Sequence, residues 1–141
     1  MYSVLFKGAS VYDGLASQPR VADVALAGDR IAEIGRIDAP AQRIVEAEGL
    51  ALAPGIVDVH THFDAQITWD RTCSPSTALG VTTVVMGNCG FGIAPCPPDQ
   101  RQTIARNLSE VEGMALASLE AGIDWGFESF ADYLDMIEAK G

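Results

Sequence analysis

Residues 2–53 read as short strands separated by turns. Largely apolar runs of strand length cover 21–27 and 30–34, and the two are joined by Gly28-Asp29. That link predicts a two-residue hairpin with glycine at its first central position. Residues 43–46 add another strand ahead of Gly49, so the N-terminal third is expected to be a small antiparallel β element. The pattern changes at Pro54-Gly55. Residues 56–60, Ile-Val-Asp-Val-His, form a near-continuous apolar run of the kind found in strands buried on both faces. Residues 75–79 predict a short helix ended by Gly80. Residues 81–86, Val-Thr-Thr-Val-Val-Met, predict a second buried, β-branched strand that stops at Gly87. Strand, helix and strand in that order imply a parallel βαβ unit. Phe63-Asp64-Ala65, between the first strand and that helix, reads as loop.

Beyond the proline-rich turn at 95–98, Ile104, Leu108 and Val111 recur at helical spacing, and a second helical stretch over 116–119 follows a break at Gly113. A last helix begins near Phe130 with Ser129 as its cap. It should carry Tyr133, Leu134 and Ile137 on one face, Lys140 in its last turn and Gly141 as its stop. The length of 141 residues suits a domain with a real core, and the change of pattern divides the chain into 1–54 and 55–141. The fold class expected is α/β, a β element followed by βα units.

Composition narrows the function classes. A formal net charge of −10 repels phosphate backbones and anionic membrane surfaces, and no Lys/Arg stripe offsets it, so nucleic acid and membrane are not expected as partners. No apolar run of about 18 residues is present, and the N-terminus lacks a basic segment followed by an apolar core; a soluble, cytoplasmic protein is expected. Three cysteines at uneven spacing do not form a disulfide framework, which leaves free thiols or a metal role.

The chemistry concentrates at the strand ends. Residues two apart on a strand face the same way, so Asp58, His60 and His62 are expected to project together, with Val57, Val59 and Thr61 opposite. These are the only two histidines in the chain, at the C-terminal end of a parallel strand, where α/β barrels place their active sites. Two converging imidazoles suit zinc; the plain alternative is a pair of partly exposed histidines at a strand end. Asp58 reads either as a carboxylate orienting an imidazole or as a solvent-facing turn residue. Asp64 keeps the same parity and reads as a contact to metal or substrate if the strand persists. In Gly87-Asn88-Cys89-Gly90, Cys89 ends the second strand beside the histidines if the two strands are neighbours. Four readings stand open for it: a thiolate zinc ligand, an inert buried thiol, a nucleophile, or part of a phosphate-cradling loop. The nucleophile lacks a free base, and the loop lacks a following Lys-Ser/Thr. Cys73 and Cys96 read as structural, and the aromatics Trp69, Phe91 and Trp125 as core.

With Gly55-Ile56-Val57-Asp58-Val59-His60-Thr61-His62 and Gly80-Val81-Thr82-Thr83-Val84-Val85-Met86-Gly87-Asn88-Cys89-Gly90 in view, the sequence resembles the amidohydrolase superfamily. Within it, the nearest likeness is to the N-acyl-D-amino-acid deacylase, or D-aminoacylase, branch. His-x-His after a buried strand marks the superfamily; Gly-Val-Thr-Thr-Val with Gly-Asn-Cys-Gly marks the branch. The resemblance implies a small β-sandwich, to which residues 1–54 contribute, followed by the first βα units of an incomplete TIM-like metal-dependent hydrolase barrel in 55–141. It also implies zinc as cofactor and His60, His62 and Cys89 as metal ligands; Asp58 and Asp64, from strand parity, and Asn88 stand beside them as weaker candidates for supporting the ligands or meeting substrate. The substrate class it implies is a small N-acyl-D-amino acid, cleaved at its amide bond. The family's other metal-binding histidines and its catalytic aspartate lie on later strands, so the general base is expected outside this chain, which would be inactive alone. The rival expectation is a non-catalytic metal-binding or assembly module whose open barrel edges pair with another chain or a second copy.

Overall fold

The computed structural model describes residues 1–141, which form two compact units, Met1–Pro54 and Gly55–Gly141. The first is a single five-stranded sheet of β1 (Tyr2–Val11), β2 (Arg20–Ala27), β3 (Arg30–Gly35), β4 (Ala41–Glu46) and β5 (Ala51–Leu52). Its order is β3-β2-β1-β4, with β5 also on β1. The β2–β3 hairpin turns at Gly28-Asp29 as that two-residue link predicts, with Gly28 at φ +63° and no positive φ at Asp29. The sheet departs from the antiparallel element expected: β4 and β5 both run parallel to β1. After β3 at one edge the chain crosses to the far side of β1, and that crossover sets the direction of β4.

Gly8, at φ +69°, sits in a bulge where the β1–β2 register jumps between Phe6 and Ala9. The extra residue reverses which face the following side chains take. Leu5 therefore packs with Ala25 and Ile37 on one side, while Ala9 and Val11 join Val24 and Ala47 on the other. Asp23 pins the bulge. Its carboxylate accepts from the backbone N–H of Gly8 at 2.8 Å and of Ile37 at 2.9 Å, and these bonds hold its pKa below the ordinary aspartate value.

The second unit holds two parallel strands, β6 (Ile56–Asp58) and β7 (Val81–Val84), with helices α1 (Phe63–Gln66), α2 (Arg101–Glu112), α3 (Leu116–Gly122) and α4 (Phe130–Lys140). The β6–β7 pairing matches the βαβ expectation, with a 3₁₀ turn at Ser76–Leu79 in the crossover, ended by Gly80 at φ +93°. The burial of these strands does not match. Ile56, Val57 and Val59 are 55%, 56% and 60% exposed, because only one neighbouring strand covers them. Residues 63–66, read as loop, make one helical turn.

The core of this unit gathers Ala65, Ile93, Cys96, Leu108, Leu119, Ile123, Phe127 and Tyr133. On α2 Ala105 and Leu108 are buried and Ile104 packs against the core, as the expected stripe has it for Ile104 and Leu108, whereas Val111 is exposed. On α4 Tyr133 is buried and Ile137 packs on the core, whereas Leu134 is exposed. α4 opens with a reciprocal cap: Ser129 Oγ accepts from the Asp132 N–H at 3.1 Å, and the Asp132 carboxylate accepts from the Ser129 N–H at 2.9 Å. Cys73 and Cys96 are buried free thiols, and burial pushes both upward in pKa. No helix is long and apolar enough to cross a membrane.

Candidate metal centre

Parallel pairing brings the ends of β6 and β7 out side by side, and hydrogen bonds continue past both strands. The Val85 N–H donates to the Asp58 carbonyl at 2.8 Å, and both the N–H and the hydroxyl of Thr61 donate to the Val85 carbonyl, at 3.3 and 2.9 Å. Thr61 is consequently buried. The turn after β7 is tied to the same place by Asn88, whose side-chain amide donates to the Val59 carbonyl at 2.8 Å. Gly87 and Gly90, at φ +77° and +83°, let this turn fold back, and the Phe91 N–H donates to Cys89 Sγ at 3.3 Å.

These constraints bring His60, His62 and Cys89 together, each offering a ligand atom within 4.8 Å of the others. The two imidazole rings are 5.6 Å apart at their centroids. His60 is exposed; His62 and Cys89 are half-buried. β6 ends at Asp58, so the convergence comes from the bonded strand exits rather than from a strand continuing through His62. The donor set, two imidazoles and a thiol with solvent access on one side, fits zinc: nitrogen and sulfur ligands, three in number, leave a fourth position open.

The remaining candidates fall around this trio. The Asp58 carboxylate accepts from the backbone N–H of His60 at 3.2 Å and so shapes the turn that presents that ring. Asp64 is 6% exposed in the first turn of α1, with Oδ2 lacking a hydrogen-bond partner and Oδ1 facing Gly87 and Gly92, where a Cβ would lie 3.8 and 3.4 Å away. Burial pushes its carboxyl up in pKa, while backbone N–H groups and the His62 ring oppose the rise. Tyr133 donates to the Asp64 carbonyl at 2.9 Å and anchors this turn to the core.

Glu112, the last residue of α2, was not singled out from the sequence. Its Oε1 lies 2.7 Å from His62 Nδ1, off the line of an ideal N–H···O bond, and neither atom has another polar partner. Burial pushes this carboxyl up as well; the His62 ring opposes that and Asp64 adds to it. The available signal was helical phase: Glu112 follows Leu108 by four residues, on the side of the helix that meets the core. A cleft of about 210 Å³ adjoins the pair, lined by Asp58, Phe63, Gln66, Trp69, Leu108 and Met114 among others.

Known proteins resemble this chain in sequence and in fold. A D-aminoacylase of Alcaligenes xylosoxydans xylosoxydans is 40% identical over 140 residues, 98% of this chain and 26% of that protein. An N-acyl-D-glutamate deacylase of the same organism is 42% identical over 67% of this chain and 20% of its own length. Among solved structures, a crystal structure of D-aminoacylase superposes with a TM-score of 0.75 at 34% identity, over 97% of this chain and 27% of that one. An N-acyl-D-glutamate deacylase from Bordetella bronchiseptica, solved with zinc and a phosphonate mimic of the tetrahedral intermediate, gives 0.73 at 32% identity, over 98% and 27%. The chain thus spans about a quarter of the length of these relatives. Residues 43–139 match the Amidohydrolase family, which takes in both parallel strands and all three candidate ligands, and the chain belongs to that family.

Proposed function

We propose that residues 1–141 form the N-terminal part of a zinc-dependent amidohydrolase that hydrolyses the amide bond of N-acyl-D-amino acids. The observation that carries this reading is the convergence of His60, His62 and Cys89 within 4.8 Å at the ends of two parallel strands. The likeness to D-aminoacylase and to a zinc-bound N-acyl-D-glutamate deacylase supports the substrate class and the metal. His60, His62 and Cys89 would hold the ion, and zinc bound there supplies Lewis-acid polarisation of a carbonyl and acidifies water. The chain's own residues set the stage for that chemistry. Asn88 and Thr61 keep the two loops in register, the Phe91 N–H fixes the Cys89 side chain, and Asp58 orders the backbone that carries His60.

In this reading residues 1–54 belong to a β-sandwich and 55–141 open a (β/α) barrel, with the general base and substrate-binding loops supplied by later strands. The purified chain is then expected to bind one zinc ion, to lose it in His60→Ala and Cys89→Ser, and to leave N-acetyl-D-amino acids unhydrolysed. Metal analysis after gel filtration, with an assay of amino acid release, reads both outcomes. Absence of zinc uptake overturns the metal centre, and turnover by this chain alone overturns the division of labour.

The exposed Ile56, Val57, Val59, Leu79 and Val85 favour a second reading, an assembly module whose strand edges pair with another chain. A monodisperse monomer by light scattering argues against it.

A further inference from the structure

Glu112 occupies a costly position. It is the last residue of α2, where the helix carbonyls already concentrate negative charge, and a carboxylate there is destabilising by itself. Its side chain is only 20% exposed, so solvation does little to relieve that cost. Gly113, at φ +65°, ends the helix immediately afterwards, while the buried Ala105 and Leu108 fix the rotation of α2 about its axis. Carboxylate and imidazole are thus brought to 2.7 Å by rigid elements 50 residues apart in sequence. Nδ1 of His62 is buried 2.7 Å from Glu112 Oε1 and has no other polar partner, which leaves Nε2 free to be the ligand atom that His62 offers beside His60 and Cys89.

We infer that Glu112 is a positioning residue: it accepts the Nδ1 proton of His62, fixes the ring and its tautomer, and so presents Nε2 to the metal. The inference rests on the metal-centre reading above. Carboxylates that hold the outer nitrogen of a ligating histidine commonly contribute 10- to 100-fold in metal affinity. A purely structural ion pair would stabilise the fold without selecting a tautomer.

The test uses the full 141-residue chain, with zinc affinity measured by competition against a chromophoric chelator, and with ¹⁵N–¹H long-range correlations of the His62 ring in metal-free protein. The wild-type ring is expected to carry its proton on Nδ1. Glu112→Ala should weaken zinc binding about 10- to 100-fold and move the ring toward the Nε2–H form. Glu112→Gln keeps an acceptor oxygen and should retain the Nδ1–H form with a smaller loss, a rescue that also covers any misfolding of the alanine variant. Wild-type affinity in Glu112→Ala, or an Nε2–H ring in the wild type, overturns the inference. His60→Ala distinguishes the two readings: undiminished zinc binding in that variant overturns the metal centre itself and the role of Glu112 with it.

Discussion

A single carboxylate, Asp70, organises the loop that follows α1. It accepts from the Thr72 hydroxyl at 2.7 Å, the Gln66 amide at 3.0 Å and the backbone N–H groups of Thr72 and Ser74 at 3.0 and 2.8 Å. Hydrogen bonds to the charged form, led by the one from Thr72, lower its pKa from 3.8 to about 2. A depressed carboxylate pKa contributes stability that is complete above the unfolded value and is lost as pH falls through the folded one. The loop should therefore loosen in acid between about 3.8 and about 2, and Asp70→Asn should flatten that part of the stability–pH curve, as read from urea midpoints at stepped pH. The same contrast between local and distant partners explains which site residues were legible. His60, His62 and Cys89 stood out because each lies at the end of a β-branched run. Glu112 did not, because its partner is 50 residues away and its one local mark, a place four residues after Leu108, does not by itself separate it from a solvated carboxylate at a helix end.

At the scale of elements, β6 and β7 depend on an absent side chain. A Cβ on Gly55 would collide with the Thr82 side chain in the adjoining strand. Gly55→Ala is expected to cost about 1–3 kcal/mol, as overpacking does elsewhere. Thr82→Ala added to it should restore much of the loss; equal destabilisation of single and double variants by chemical denaturation would contradict the clash. Element type was largely readable here, since the hairpin, the parallel pair and the capped α4 all follow from local periodicity and turn chemistry. The direction of β4 was not, because short strands carry no mark of whether the chain has crossed the sheet before pairing. Nor was the full inward face of α2: Ile104 and Leu108 pack on the core as their spacing predicts, but Ala105 rather than Val111 completes that face, and only packing separates the two.

For the whole molecule, the decisive fact is that a strand composition suited to full burial is left largely uncovered. Ile56, Val57 and Val59 would be expected inside a closed sheet, and here they face outward. Sequence shows what a strand is built for, not how many neighbours it has. A ligand that binds only the folded form raises stability by mass action, so zinc at a hundred times its dissociation constant should add about 2.7 kcal/mol. Calorimetry should show a melting transition raised by zinc and returned by a chelator in wild type, with no such response in Cys89→Ser. A transition insensitive to zinc would contradict metal binding by the folded chain.

The left-handed glycine that closes α2 gives this chain a fixed angular setting. Each residue added to a helix turns everything beyond it by about 100° and advances it by about 1.5 Å. One alanine inserted between Leu108 and Glu112 would therefore swing the carboxylate away from the His62 ring while leaving the composition of the helix almost unchanged. The spacing from Leu108 to Gly113 is thus a length constraint as strict as any on the identity of the residues within it.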